Sequence, residues 1–261
     1  MPDAAVAFCT LSIMSLARLD IDSGLATLTL DRPDKRNALS AELIADLEGL
    51  LETISGDDSV RVMILQGEGK SFCAGMDLQG VLDDPAKMAG MLHGLSRAMR
   101  AIRRLPVPTI ASVQGAAVGG GCGLAVVCDY AFSHPGAKLG YPEVELGVCP
   151  AVVAPWLIRR LGSGRARSLL LAGGTMAAEE ALEIGLIDQI IPAEELSEAV
   201  QAFASKLAKG GQHAMAITKH WLNELEGSLE DEIFERAAQI SADVIAGEEA
   251  QERLSRIFAR P

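Results

Sequence analysis

The 261-residue sequence contains no Cys-x-x-Cys pair, and its five cysteines (Cys9, Cys73, Cys122, Cys128 and Cys149) are odd in number. Scattered cysteines in apolar surroundings read as reduced, buried thiols of a cytosolic protein. The four histidines, His93, His134, His213 and His220, form neither His-x-x-x-His nor His-Glu-x-x-His. No metal site is expected from them. Basic residues are in deficit: 23 Lys and Arg stand against 35 Asp and Glu, a formal net charge of -12. Phosphate backbones and anionic membrane surfaces both need a basic footprint, so neither nucleic acid nor membrane is expected as a partner. A small anionic ligand met by a few local Lys or Arg is still compatible. No apolar run is long enough to span a bilayer, and no Gly/Ser/Pro linker divides the chain. The first 14 residues carry Asp3 and no Lys or Arg, so a secretory n-region is missing. They read as a disordered tail or a misassigned start, with Met14 as an alternative initiator.

What is present is an ordinary globular composition, 49% hydrophobic and 22% charged, organised around one stretch. Ile110-Ala-Ser-Val-Gln-Gly-Ala-Ala-Val-Gly-Gly-Gly-Cys-Gly-Leu-Ala-Val-Val-Cys-Asp129 begins as a β-branched strand, breaks at Gly119–Gly121, and continues as a buried helix. Glycines there let a ligand approach the main chain. The amides of a helix N-terminus favour negative charge, either a phosphate or an oxyanion. The plainer alternative is that the glycines only allow a helix to pack tightly on a sheet. A dinucleotide fingerprint fails because Val126 stands where the third glycine belongs. A P-loop fails because Ile64 stands in the first glycine position before Gly69-Lys70-Ser71.

Around that stretch the periodicities alternate strand and helix. Two strands are expected from Ser15 to Leu30 around Asp22-Ser23-Gly24, then a helix capped by Ser40, then a strand at Val60–Leu65. A second glycine-rich turn follows at Gly67–Leu78, and residues 84–104 read as a helix, either a lid or a pocket wall. After Asp129–Ser133, another strand, Lys138–Gly147 reads as mostly extended. Short helices are expected at 151–161, 163–171 and 177–184, a last strand at Ile187–Ile191, and four amphipathic helices from Glu194 onward.

Two glycine turns, each after a strand, could aim two amides at one oxygen. Glu143 follows Pro142 as a carboxylate in a largely apolar stretch. Two fixed donors and one carboxylate suit an enolate-forming reaction: the donors hold charge growing on a carbonyl oxygen while the carboxylate moves the α-proton. In an apolar pocket, desolvation would raise the pKa of Glu143 and fit it to shuttle protons at neutral pH.

At these residues the sequence resembles the crotonase (enoyl-CoA hydratase/isomerase) superfamily. The resemblance rests on Ser71-Phe-Cys-Ala-Gly-Met-Asp-Leu78, Gly115-x-x-x-Gly-Gly-Gly-Cys-Gly-Leu124, Cys128-Asp129 and Gly140-Tyr-Pro-Glu-Val-Glu-Leu-Gly147. Asp31-Arg-Pro-x-x-Arg-Asn-Ala-Leu39 and Leu171-Ala-Gly-Gly-x-x-x-Ala-x-Glu-Ala-x-x-x-Gly-Leu-Ile187 extend it over about residues 16 to 261. It implies an α/β fold, a spiral of ββα units over residues 16–200, after an N-terminal tail at 1–15. A helical region at 201–261 would trimerise, giving a homotrimer or a dimer of trimers. It also implies an acyl-CoA thioester substrate, with no further cofactor because CoA arrives with the substrate. The oxyanion amides would be those of Met76 and Gly120. The Ala74 carbonyl and the backbone near Ala38 would line the adenine and pantetheine groove. Arg36, and Lys219 from a neighbouring subunit, would meet CoA phosphates. Gly75, Asp77, Leu78, Gly119 and Pro142 belong to the same substrate site, with Asp77 chiefly capping its own turn.

The sequence departs from the resemblance at one place. Hydratases of this type commonly use two glutamates, and the first would stand where this chain has Gly123. A lone glutamate at the position of Glu143 is what the isomerases carry. Hydratase-like relatives also show Gly-Leu after the glycines and a Pro-Ala segment like Pro150-Ala151, and on that ground hydration stands ahead of isomerisation. A CoA-ester hydrolase and a catalytically silent CoA-binding protein remain open. Gly123 is expected to leave room for a larger or polar acyl group. Glu145 would share a face with Glu143 only if the segment is extended; Tyr141 and Cys149 lie close in sequence.

Overall fold

The computed structural model describes residues 15–82 and 84–258. The tail expected at 1–15 lies, apart from Ser15, outside the described residues. Nine strands and ten α-helices are described. The strands are β1 (Ala17–Asp22), β2 (Leu25–Leu30), β3 (Val62–Gly67), β4 (Thr109–Val113), β5 (Ala116–Val118), β6 (Tyr130–Ser133), β7 (Lys138–Gly140), β8 (Thr175–Ala177) and β9 (Gln189–Ile190). The helices are α1 (Ala41–Ser55), α2 (Pro85–Arg104), α3 (Gly120–Val127), α4 (Ala154–Leu161), α5 (Ser163–Ala172), α6 (Ala178–Glu183), α7 (Leu196–Leu207), α8 (Gln212–Leu225), α9 (Asp231–Ile245) and α10 (Glu248–Phe258).

The larger sheet runs β1-β2-β3-β4-β6-β9, antiparallel at the β1–β2 hairpin and parallel throughout the rest. Its central strands are buried on both faces, which explains their continuous apolar runs. Met63 and Leu65 face the main core, whereas Val62 and Ile64 face a second cluster with Leu196, Val200 and Ala204 of α7. Val200, at the expected border of the core region, therefore sits mid-helix and packs on this sheet.

The smaller sheet, β5-β7-β8, was only partly legible. Its strands have three residues each, too few to display a period. β5 interposes between β4 and the glycines, and β8 precedes the helix expected at 177. β7 also stops sooner than expected. Pro142 opens a 3₁₀ turn at Glu143–Leu146, closed by Gly147 at φ 74°.

The helix ends follow local chemistry. The Ser40 hydroxyl accepts from the Leu43 amide at 3.3 Å, and Asp84 Oδ1 accepts from the Lys87 amide at 2.9 Å, with Pro85 at the first helical position. α1 packs on α2, and α2 on α9. All eight residues of α3 are buried, so its eight apolar or glycine positions need no polar face.

Candidate active site

The smaller sheet sets the geometry of the two glycine turns. Cys73 bridges to Ala117: its amide donates to the Ala116 carbonyl (2.9 Å) and its carbonyl accepts from the Val118 amide (3.0 Å). Three residues on, Met76 bridges to Leu39. Leu39 donates to the Gly75 carbonyl (2.8 Å) and accepts from the Asp77 amide (2.9 Å). Those bonds use the groups flanking Met76, so strand alternation turns its own N–H to the opposite side. It donates to no described residue.

On the facing turn, the Gly119 amide donates to the Gly140 carbonyl at 2.8 Å. Gly119 then adopts φ 55°, ψ -123°, a region essentially closed to other residues, and α3 starts at Gly120. The Gly120 amide is one of the unsatisfied donors of a helix N-terminus and has no acceptor among the described residues.

Glu143 is brought to this point by β7 and Pro142. Tyr141, almost fully buried, anchors the segment through its amide to the Gly174 carbonyl (2.9 Å), and the Val148 amide returns to the Glu143 carbonyl (2.8 Å). A Cβ on Gly119 would stand 2.9 Å from Glu143 Oε1. Glu143 Oε2 is buried without a hydrogen-bond partner. Burial raises the carboxyl from 4.5 to about 7, opposed only by its own backbone N–H. Near neutrality the group is thus divided between acid and base.

Eight of the expected residues line one cavity of about 150 Å³: Ala74, Gly75, Met76, Leu78, Gly119, Gly120, Pro142 and Glu143. Four do not. Arg36 is exposed at φ 52°, its carbonyl accepting from the Ala74 amide at 3.0 Å. Ala38 stands beside it, and its carbonyl accepts from Arg32 Nη1 at 3.0 Å. The same guanidinium nitrogen meets Asp77 Oδ2 at 2.7 Å. Asp77 therefore ties its turn to the Asp31–Leu39 segment through an ion pair rather than capping that turn with its side chain. Lys219 is buried elsewhere, in a hollow with Arg103 and Asp129. Its ammonium donates to Asp129 Oδ2 (2.7 Å) and to the Val107 carbonyl (2.9 Å), and burial lowers its pKa. Within the chain its charge is committed to Asp129.

Two readings of the segment are corrected. Gly123 leaves no room: a Cβ there would overlap Met99 Cε and stand 2.7 Å from Val153 Cγ1. Glu145 is exposed on the 3₁₀ turn and does not line the cavity, so the two glutamates do not share a face. Tyr141 is also outside the lining, whereas Cys149 is part of it. Among the described residues, Glu143 is the one charged side chain in the cavity wall.

Sequence reasoning missed most of the apolar wall. Leu92 and Leu95 make α2 a pocket wall, Val148, Val152 and Val153 follow the 3₁₀ turn, and Ser241 and Ile245 come from α9. Only the amphipathic stripe of α2 carried a sequence signal for this.

The arrangement can hold a carbonyl oxygen between two amides and move a proton beside it. A sequence model of the family described as enoyl-CoA hydratase/isomerase matches residues 20–258. The chain is 34% identical over 228 residues to a crotonyl-CoA hydratase of Syntrophomonas wolfei, covering 86% of each. It is 33% identical over 240 residues to a 1,2-epoxyphenylacetyl-CoA isomerase of Escherichia coli, covering 87% of this chain and 91% of that one. The crystal structure of an enoyl-CoA hydratase from Bacillus halodurans superimposes with a TM-score of 0.85 at 27% identity, covering 93% of this chain and all of that one. The chain has the crotonase fold, and it is an enzyme of the enoyl-CoA hydratase/isomerase family.

Proposed function

We propose that the protein adds water to a 2-enoyl-CoA thioester, with Glu143 as its acid–base group and the Met76 and Gly120 amides as its oxyanion hole. The observation that carries this reading is the Glu143 carboxylate in an apolar cavity, against Gly119 and beside two amides without acceptors. Glu143 takes a proton from water as the oxygen bonds to C3. Negative charge passes to the thioester oxygen, where the amides hold it. Glu143 then returns the proton to C2. A group with a pKa near 7 suits both halves of the exchange. The relatives named as hydratases support this outcome.

Double-bond migration is the second reading, and the packing at Gly123 favours it. With Met99 and Val153 filling the space beside Gly123, Glu143 has no carboxylate partner with which to hold a water. Glu143 would then take the C2 proton of a 3-enoyl-CoA and return it at C4. The test is ultraviolet absorbance of the conjugated thioester. Loss with trans-2-enoyl-CoA supports hydration. Gain with 3-enoyl-CoA and no change with the first substrate supports migration. No change with either contradicts both.

The chemistry requires no dissociable cofactor, since CoA enters with the substrate. Arg36, an exposed cation beside the Ala38 and Ala74 backbone, meets a CoA phosphate. Assembly as a trimer or dimer of trimers is supported by α8, which leaves Ile217, Trp221, Leu222 and Leu225 more than half exposed. Light scattering at micromolar concentration tests it, and a monomeric mass contradicts it. No described helix is long and apolar enough to cross a membrane. The free cysteines Cys73, Cys122, Cys128 and Cys149 suit a reducing cytoplasm.

A further inference from the structure

The inner wall of the cavity is hydrocarbon, and one residue in it has a neighbour behind. Val153 lines the cavity; Met99 does not and is wholly buried. Both press on the same point of α3, where a Cβ on Gly123 would overlap Met99 Cε and come within 2.7 Å of Val153 Cγ1. Val153 is thus the cavity face of a plug whose back is Met99. The plug lies one helical turn from Gly119, to whose carbonyl the Gly123 amide donates at 2.9 Å. One turn is about 5.4 Å, the reach of a short acyl chain.

The polar atoms near the plug are already engaged. Ser241 Oγ donates to the Cys149 carbonyl at 2.8 Å and accepts from the Val152 amide at 3.3 Å. No Lys, Arg or His lines the cavity among the described residues, and its one charge, Glu143, is negative when ionised.

Resting on the acyl-CoA reading above, we propose that Val153, backed by Met99, sets the acyl selectivity of this site. Short hydrocarbon acyl groups are accepted. Chains that reach past the plug, or that end in a carboxylate, are refused. Room for one methylene in an apolar pocket decides about 10- to 200-fold in selectivity. A carboxylate buried there would have no partner and would face Glu143.

Titration calorimetry with saturated acyl-CoA esters tests this without needing turnover. The probes are butyryl-CoA, decanoyl-CoA and glutaryl-CoA on the wild type, Val153→Ala and Met99→Ala. The wild type is expected to bind butyryl-CoA at least about tenfold more tightly than either other ester. Both substitutions narrow the butyryl-to-decanoyl gap about tenfold, Met99→Ala without itself touching ligand. Glutaryl-CoA stays weak in all three proteins. Wild-type protein that binds glutaryl-CoA as well as butyryl-CoA overturns the proposal, whatever the variants do. So do folded variants that keep the wild-type ratio. Selective binding without turnover of any enoyl-CoA supports the plug and overturns the catalytic reading instead. Failure to bind any acyl-CoA overturns both.

Discussion

The Glu143 carboxylate rests against the backbone of Gly119: a Cβ on that glycine would lie 2.9 Å from Oε1 and 3.5 Å from the carboxyl carbon. Gly119 also holds φ 55°, ψ -123°. Two independent constraints therefore disfavour a side chain there, one conformational and one from the Glu143 carboxylate itself. Gly119→Ala should cost about 1–3 kcal/mol of stability and push the carboxylate off its position. Thermal melts and turnover should both fall. A variant with wild-type melting and rate would remove the carboxylate from this position.

Burial gives Glu143 a pH signature. The native protein holds this proton more tightly than the unfolded chain, at about 7 against 4.5. Its contribution to stability is complete below about pH 4.5 and is lost as pH rises through about 7. At about 1.4 kcal/mol per pH unit, the gap is worth about 3 kcal/mol. Glu143→Gln removes the charge without changing the shape. It should raise the melting temperature above pH 7, with the advantage closing toward pH 5. The wild-type kcat/KM should rise with pH along a limb near 7, because the base form takes the first proton. A limb near 4.5 would mean that the carboxylate is solvated.

Gly120 offers a cleaner cut at the oxyanion hole. It is the first residue of α3, a position where the helix tolerates proline, whose ring replaces the N–H and puts Cδ where the oxygen would be held. Its nearest side-chain neighbour is the flexible end of Leu95. Gly120→Pro should lower kcat about 10²- to 10³-fold while the fold persists. Unchanged rates in a folded variant would sink the assignment of that amide.

Lys219 should behave as a structural residue. Its ammonium is buried against Asp129, which also accepts from the Thr109 amide (2.8 Å) and approaches Arg103 at 3.5 Å. Lys219→Met removes one partner of the half-buried Asp129 carboxylate, which keeps Thr109 and Arg103, and should cost about 1–3 kcal/mol. Chemical denaturation measures it. Acyl-CoA affinity of the folded variant should be unchanged; weakened affinity at intact stability would return the residue to the CoA site.

What the sequence disclosed was local. The two glycine turns were readable because their glycines have a backbone reason, whereas Met76, Gly119 and Gly120 were singled out within them by the family resemblance. Glu143 was readable because it follows Pro142 at the end of a strand. What it hid was non-local. The space beside Gly123 depends on Met99 and Val153, one before it and one after it in the chain, so the missing side chain suggested a void that packing had already filled. Ser241 reaches the pocket wall across 92 residues of sequence, and Lys219 reaches Asp129 across 90. No spacing rule links such pairs. The three-residue strands β5 and β8 were hidden for a different reason: their hydrogen bonds are set by neighbours, not by a period of their own.

The most direct test is Glu143→Gln assayed on the enoyl-CoA that the wild type converts, with acyl-CoA binding measured alongside. The variant should bind the thioester as the wild type does and lose turnover by about 10²- to 10⁴-fold. Turnover retained in the variant would show that another group moves the proton and that Glu143 is only a buried carboxyl.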